Sequence, residues 1–365
     1  MAPMTPYYFS HSKCGKVRII TAPFGYGPRV AAETMVKLLN LTIDDWQLNS
    51  VTTKKTTFKV TLNFGVSQPV NEPETSFKIW IDCLMWLRNN IPQEVADYDL
   101  FLAENFFKTN PFLLKQIPES KSKDITPLYS LNGYSSFSRL KNIQNQDGYI
   151  LVSFGGIETP YTTDIHRFAI PRVVLESLIF ASGKLDDKRK IICCLPLHIR
   201  KQLQQNPSFS KIHFLSPTHE EFLSILKTAS IYVVQPGLYG PFEAFENNIP
   251  TVFMTPFSYT QVCQARVYDR ENLAEYIPMW SLLNSEIGNM CGDIINEEEI
   301  CFKNITNFIE KYINSNFPDT YFNWAQMVLR NEIVTSDLIN KRKQYIVKCK
   351  SIKAYQLHKI QKIIL

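Results

Sequence analysis

The sequence predicts an α/β protein of two domains, each a parallel sheet flanked by helices, facing one another across a cleft. Three observations predict it. Short apolar, β-branched runs alternate with helix-period stretches along both halves of the chain. A glycine-bearing turn follows the first strand of each half, APFGYGP at 22–28 and SFGG at Ser153–Gly156. The segment from Ser230 to Arg266 reads as strand, Gly/Pro turn, helix, strand, loop and helix within forty residues.

Bulk properties fit this reading. A chain of 365 residues is long for one core and comfortable for two. With 45% hydrophobic and 20% charged residues it can bury a sizeable core, which excludes global disorder. The net charge of +5 suits anionic ligands such as nucleotides without being the signature of a nucleic-acid polymer binder. Much of it falls in the last thirty residues, at Lys341, Arg342, Lys343, Lys348, Lys350, Lys353, Lys359 and Lys362, which read as a solvated helix face. The eight cysteines form no Cys-x-x-Cys pair and are expected as buried thiols in a reducing cytoplasm. MAPMTPYYFSHSKCGK has no signal pattern, and no apolar run approaches membrane-spanning length, so a soluble, cytoplasmic protein without membrane insertion is expected.

In chain order, Val17–Thr21 reads as a strand, and Arg29 to about Leu39 as a helix after the glycine turn. Phe58–Phe64 alternates as a strand does; Phe77–Leu87 is a dense apolar run containing one acid, Asp82; Tyr98–Ala103 is a strand running into Glu104. From Pro118 to Gly148 polar residues dominate, as in a connecting loop. A second series follows: strands at Tyr149–Phe154, Ile191–Leu195, Ile212–Phe214 and Ile231–Val234, with helices at Asp164–Ala181 and Glu220–Ala229. Adjacent Cys193 and Cys194 should point to opposite faces of their strand. Beyond Glu297 the chain reads as helical, with Trp324–Leu329 packed. The expected domains are 1–147, 148–330 and a basic helical segment 331–365 that packs back across the others.

The chemistry concentrates at the glycine turns. Ligands of open parallel sheets bind at the carboxyl ends of the strands. A tight turn into a helix points backbone N–H groups and a positive dipole end at that place, which suits phosphate. SFGG and PGLYGPFEAF (Pro236–Phe245) are the two candidates, with Glu243 expected in the first turn of the helix. Gln261 and Gln264 follow the next strand. An acid and amides beside a phosphate cradle suit a ribose and a sugar. In the first half, Gly25 and Gly27 permit close approach to a ligand, while Tyr26 and Arg29 are in reach of an acceptor or a sugar acid group. Arg266 is a second cation for such a group. Asp82 and Glu104, each at the end of an apolar run, are candidate general bases, and equally candidate caps or ion-pair partners. The six histidines show no metal spacing, and there is no Gly-x-Ser-x-Gly or Gly-Lys-Ser/Thr motif. No metal or cofactor is therefore expected.

VSFGG, followed by FLSPTHEEFLSILKTASIYVVQPGLYGPFEAFENNIPTVFMTPFSYTQ, resembles the donor half of GT-B glycosyltransferases, in the branch of the lipid-II N-acetylglucosaminyltransferase and the UDP-glycosyltransferases. FGYGP, IDCLMWLR, PGLYGPFEAF and PFSYTQVCQAR are most similar to cytosylglucuronate-synthase-like proteins of nucleoside-antibiotic pathways. The resemblance spans roughly residues 17 to 270. It implies two Rossmann-like domains and a metal-independent, inverting transfer from a UDP-sugar to a small acceptor, with glucuronic acid and a pyrimidine base such as cytosine as one pairing. It implies that Ser153, Gly155, Gly156 and the amides of Gly237, Leu238, Tyr239 and Gly240 hold the diphosphate, and that Glu243 binds the ribose. Phe214 and Ser216 would lie against the uracil, and Gln261 and Gln264 would reach the donor sugar. The chain departs from the pattern in having no histidine in Phe24–Pro28. That leaves the proton to Asp82 or Glu104, or to an acceptor nitrogen that needs no base. UDP-sugar hydrolysis or epimerisation on the same fold, and an idle nucleotide-binding module, are the alternatives. A homodimer is compatible with the reading.

Overall fold

A computed structural model describes residues 7–11, 17–21, 26–39, 47–49, 58–65, 75–87, 91, 97–107, 122–125, 148–158, 162–287, 303–308, 310–311 and 317–351. The chain divides by its contacts into two compact units, one of 1–131 with 347–365 and one of 132–346. The expected α/β class is observed, with one sheet in each unit.

The first unit holds seven strands in the order β3-β1-β2-β4-β5-β6-β7: Tyr7–His11, Val17–Thr21, Gln47–Asn49, Phe58–Phe64, Thr75–Asp82, Leu100–Glu104 and Ser122–Ile125, numbered β1 to β7 along the chain. From β2 outwards to β7 the neighbours run parallel. The expectation of a wholly parallel sheet is corrected here: β1 lies antiparallel between β2 and β3. The Tyr-Tyr-Phe run that favours a strand there is short and followed by polar residues. A second correction concerns 118–148, read as connecting loop. Its Ser-Lys-Asp-Ile run forms β7 on the sheet edge, where a polar strand is tolerated because only one side is paired. Helix α1 (Tyr26–Leu38) begins three residues before the expected Arg29. The run Phe77–Leu87 splits into the end of β5 and a 3₁₀ turn at Met85–Leu87. Trp80, Met85, Tyr98, Phe101 and Ala103 form one buried cluster on this sheet, with the Trp80 and Tyr98 rings edge to face at 5.2 Å.

The second unit holds five strands, all parallel, in the order β10-β9-β8-β11-β12: Tyr149–Ser153 (β8), Lys190–Cys194 (β9), Ile212–Leu215 (β10), Ile231–Val234 (β11) and Thr251–Phe253 (β12). The helices are α2 (Ile170–Leu185), α3 (Leu197–Leu203), α4 (His219–Leu226), α5 (Tyr239–Glu246), α6 (Tyr259–Arg270), α7 (Trp280–Ile287), α8 (Phe317–Leu329) and α9 (Ser336–Ser351), the last of which belongs to the first unit from Val347 onwards. α3 and α7 were not expected from the sequence. The stretch before α2 is a π-helical turn, Ile165–Ala169. Pro171 lacks an N–H for the ordinary α ladder, and the wider register before it absorbs that loss. α8 packs along α2, and Trp324, Ala325 and Val328 are buried as expected. Cys193 and Cys194 are both buried, and burial raises both thiols, Cys194 to about 12. They are inert side chains of a core strand.

The basic C-terminal helix is not simply a solvated face. Arg342 of α9 is buried, its guanidinium donating to Leu273 O and Thr251 O at 2.9 Å each. It lies 4.5 Å from the Phe245 ring centroid and 5.8 Å from that of Phe253. Burial pushes this guanidinium down to about 9, still protonated near neutral pH.

Candidate functional site

The strand order of the second unit locates a site before any side chain is considered. The chain winds from β8 through β9 to β10 in one direction, then returns to place β11 on the other side of β8. The loops leaving β8 and β11 therefore diverge, opening a crevice at their carboxyl ends. Both loops carry the glycines the sequence singles out. After Ser153, Gly155 and Gly156 make a turn, with Gly155 exposed. After Val234, Gln235-Pro236-Gly237-Leu238 leads into α5, whose first turn has no side-chain cap. An uncapped helix end beside a glycine turn favours an anion. Gly240 is the second residue of α5, so Glu243 falls in the second turn, one turn later than expected.

Tyr232 of β11 organises the region. It is 1% exposed, and its hydroxyl bonds the Ser153 side chain. Its ring stands T-shaped to Phe222 of α4, with centroids 5.9 Å apart. A Cβ at Gly240 would lie 2.8 Å from the Tyr232 hydroxyl, so α5 approaches β11 this closely only with glycine there. Burial raises the Tyr232 phenol well above its ordinary value, and nearby Glu243 adds to the shift. One side chain thus ties β8, β11, α4 and α5 together.

Glu243 has a partner that the sequence reading missed. His219 Nε2 lies 2.7 Å from Glu243 Oε1, with the two side chains 9% and 3% exposed. His219 is the first residue of α4, and a capping box sets its place. Thr218 Oγ1 accepts from Glu221 N, while Glu221 Oε2 accepts from Thr218 N at 2.9 Å. The Thr-x-x-Glu spacing at 218–221 was the available signal for that helix start. The second oxygen of Glu243 accepts no hydrogen bond from the described residues. The Glu243 carbonyl accepts from Asn247 Nδ2 at 2.7 Å, which closes the end of the short helix.

The other sequence-named residues of this unit lie on neighbouring elements. Gln261 lies in the first turn of α6, its Oε1 accepting from Phe257 N at 2.7 Å. Its Nε2 lies against Gly156, 2.9 Å from where a Cβ would stand, so the first glycine turn and α6 are brought together. Gln264, Leu238 and Tyr239 are buried. Ser216 Oγ donates to Leu195 O at 2.7 Å, joining the ends of β10 and β9, and Phe214 packs edge-on to Phe209. The Gly237 carbonyl accepts from the Tyr268 hydroxyl at 2.6 Å. Gln235, not named from the sequence, is buried at the end of β11, and among the described residues its amide nitrogen has no hydrogen-bond partner. Arg266 is bonded to exposed Asn284 at 3.0 Å.

In the first unit, Asp82 and Glu104 end adjacent strands and are both 2% exposed. Asp82 pairs with Ala103 across the sheet, so Glu104, one residue further, falls on the opposite face. The two carboxylates are not brought together. Asp82 accepts from Leu84 N at 2.7 Å and from the Trp80 indole at 3.4 Å, which holds the turn after β5. Arg29, in the first turn of α1, pairs with Glu33 at 2.9 Å. Gly27 lies in the same turn; Gly25 and the Tyr26 side chain lie outside the described residues. Among the described residues no group of three or more His, Cys, Asp or Glu could hold a metal ion, and no helix is long and apolar enough to cross a membrane.

No protein-family model matches the sequence, and no curated protein does. Solved structures match the chain at low sequence identity. The glycotransferase of kitacinnamycin is 12% identical, with 84% of this chain and 75% of that one covered at a TM-score of 0.48. A UDP-glucosyltransferase from Polygonum tinctorium capable of glucosylating indoxyl is 8% identical over 84% of this chain and 75% of its own, at 0.39. UGT89C1 of Arabidopsis thaliana complexed with quercetin is 10% identical over 88% and 77%, at 0.38.

Proposed function

We propose that this chain is a metal-independent, inverting glycosyltransferase of the GT-B type that moves a sugar from a UDP-sugar to a small acceptor. The observation that carries the proposal is the buried Glu243 at the crevice beside β11. One of its oxygens is engaged by His219, and the other is without a partner among the described residues. Such a carboxylate suits the hydroxyls of a ribose. The Gly155–Gly156 turn and the uncapped start of α5 supply backbone N–H groups for the diphosphate.

In the transfer, the acceptor's nucleophilic atom bonds to the anomeric carbon on the face opposite UDP. The bond from that carbon to the β-phosphate oxygen breaks, UDP leaves with the electron pair, and the acceptor proton passes to a base. Backbone dipoles at the phosphate offset the charge that builds on the leaving group, as a metal would elsewhere. Gln261, with its amide nitrogen against Gly156, is the residue proposed to reach the donor sugar. Asp82 and Glu104 are the proposed bases. A glucuronic acid donor and a pyrimidine base acceptor are the proposed pair, the ring nitrogen being nucleophilic enough to lower the demand on the base.

Calorimetry tests the donor site. Glu243→Ala should weaken UDP binding by about 1–3 kcal/mol, the worth of a hydrogen bond to a charged group. Unchanged affinity would remove Glu243 from the site. Turnover of a UDP-sugar with a pyrimidine acceptor should survive EDTA, and a strict requirement for Mg²⁺ contradicts the metal-independent mechanism. UDP released at the full rate without acceptor would make the enzyme a hydrolase.

A further inference from the structure

We infer that His219 is a positioning residue for nucleotide recognition: its imidazole aims Glu243 at the ribose and thereby sets the preference for a ribonucleotide. The inference rests on the proposed UDP-sugar site and adds to it a residue whose role is independent of the reacting atoms.

The contact itself is short, 2.7 Å between His219 Nε2 and Glu243 Oε1, and almost dry, with the side chains 9% and 3% exposed. At that distance from a carboxylate, Nε2 must carry the proton and donate. A buried carboxylate oxygen needs such a donor in place of the water it has lost. With one oxygen fixed by His219, rotation of the carboxylate is stopped and the other oxygen is left to accept from a ligand. None of the described residues takes that place.

The two helices that carry the pair are themselves held. The Thr218–Glu221 capping box fixes the first turn of α4, and so the backbone of His219. Gly240 lets the first turn of α5 rest against the Tyr232 hydroxyl. Tyr232 also packs edge-on to Phe222, in the next turn of α4. Both helices therefore refer to the same buried ring. The histidine meets its acid without a search over rotamers, which is the condition for a preorganised acceptor.

The test compares UDP with 2′-deoxy-UDP by calorimetry, because a residue that only staples two helices weakens both nucleotides alike. Wild type should prefer UDP about tenfold, one hydrogen bond to a charged acceptor. His219→Ala should bring that preference to about twofold or less, and should change it no further when Glu243 is already alanine. Two conservative variants make the geometry decide. Gln places an amide N–H where Nε2 stands, whereas Asn reaches only to the Nδ1 position. His219→Gln should restore most of the preference and His219→Asn should not, with both melting near wild type. Full preference in His219→Ala, or equal behaviour of the Gln and Asn variants, overturns the inference. A wild type that binds both nucleotides equally overturns it while leaving the UDP site standing. A wild type that binds neither removes the UDP site as well.

Discussion

Arg342→Met should destabilise the second unit by about 3–5 kcal/mol in urea unfolding, far beyond the half kcal/mol of an ordinary surface change. Loss of the guanidinium leaves the carbonyls of Thr251 and Leu273 buried without their donors, at about 1–3 kcal/mol each. It also removes a cation from the faces of Phe245 and Phe253, a smaller contribution of about 1–2 kcal/mol. Recovered hydrophobic burial by the methionine opposes both, which keeps the net figure below the sum. Among the described residues Arg342 forms no ion pair and Glu275 adds only a longer-range attraction, so the effect should depend weakly on salt. A midpoint shift that vanishes in 1 M salt, or a stability within error of wild type, refutes this account of α9. Lys341→Met, one residue away and on the exposed side, is the control and should change little.

Gly240→Ala sets two effects of opposite sign against each other. Helix propensity favours alanine by up to about 1 kcal/mol. Steric overlap opposes it: the new Cβ would stand 2.8 Å from the Tyr232 hydroxyl, which is buried and cannot swing away. Overpacking of that kind costs about 1–3 kcal/mol. The overlap wins, so the variant should lose about 1–2 kcal/mol and carry Glu243 out of line, with weaker UDP binding. Removal of the hydroxyl tests the cause. In the Gly240→Ala, Tyr232→Phe double variant the clash is gone, and stability should exceed the sum of the single effects by about 1 kcal/mol or more. Strict additivity would mean that Tyr232 is not what excludes a side chain at 240.

Legibility in the sequence follows distance along the chain. The segment from β11 to α6 was readable because its signals are local: a β-branched run, Pro236-Gly237, then a helix, then a second strand. Along the chain, Gly240 reads as a glycine that a bound phosphate needs. The structure adds that a tyrosine eight residues earlier already demands it. Asp82 stood out as an acid ending an apolar run, yet nothing in the sequence shows that its oxygens hold Leu84 N and the Trp80 indole. Likewise, Asp82 and Glu104 look equivalent along the chain and fall on opposite faces only through the register of β5 on β6. The short edge strand β7 was hidden because Ser-Lys-Asp-Ile has no apolar alternation to betray it.

By itself the sequence determined the α/β class, most of the strands, and the two glycine turns at the carboxyl ends of β8 and β11. Those depend on hydrophobic period and on backbone freedom, which are properties of neighbouring residues. The tertiary structure alone decided which acid would be poised and by what. His219 and Glu243 lie on different helices, separated by a whole strand, and meet because both helices pack against Tyr232. A contact between side chains so far apart in the chain has no local signature. It exists only once the sheet has set the strand order and the helices have closed on one face.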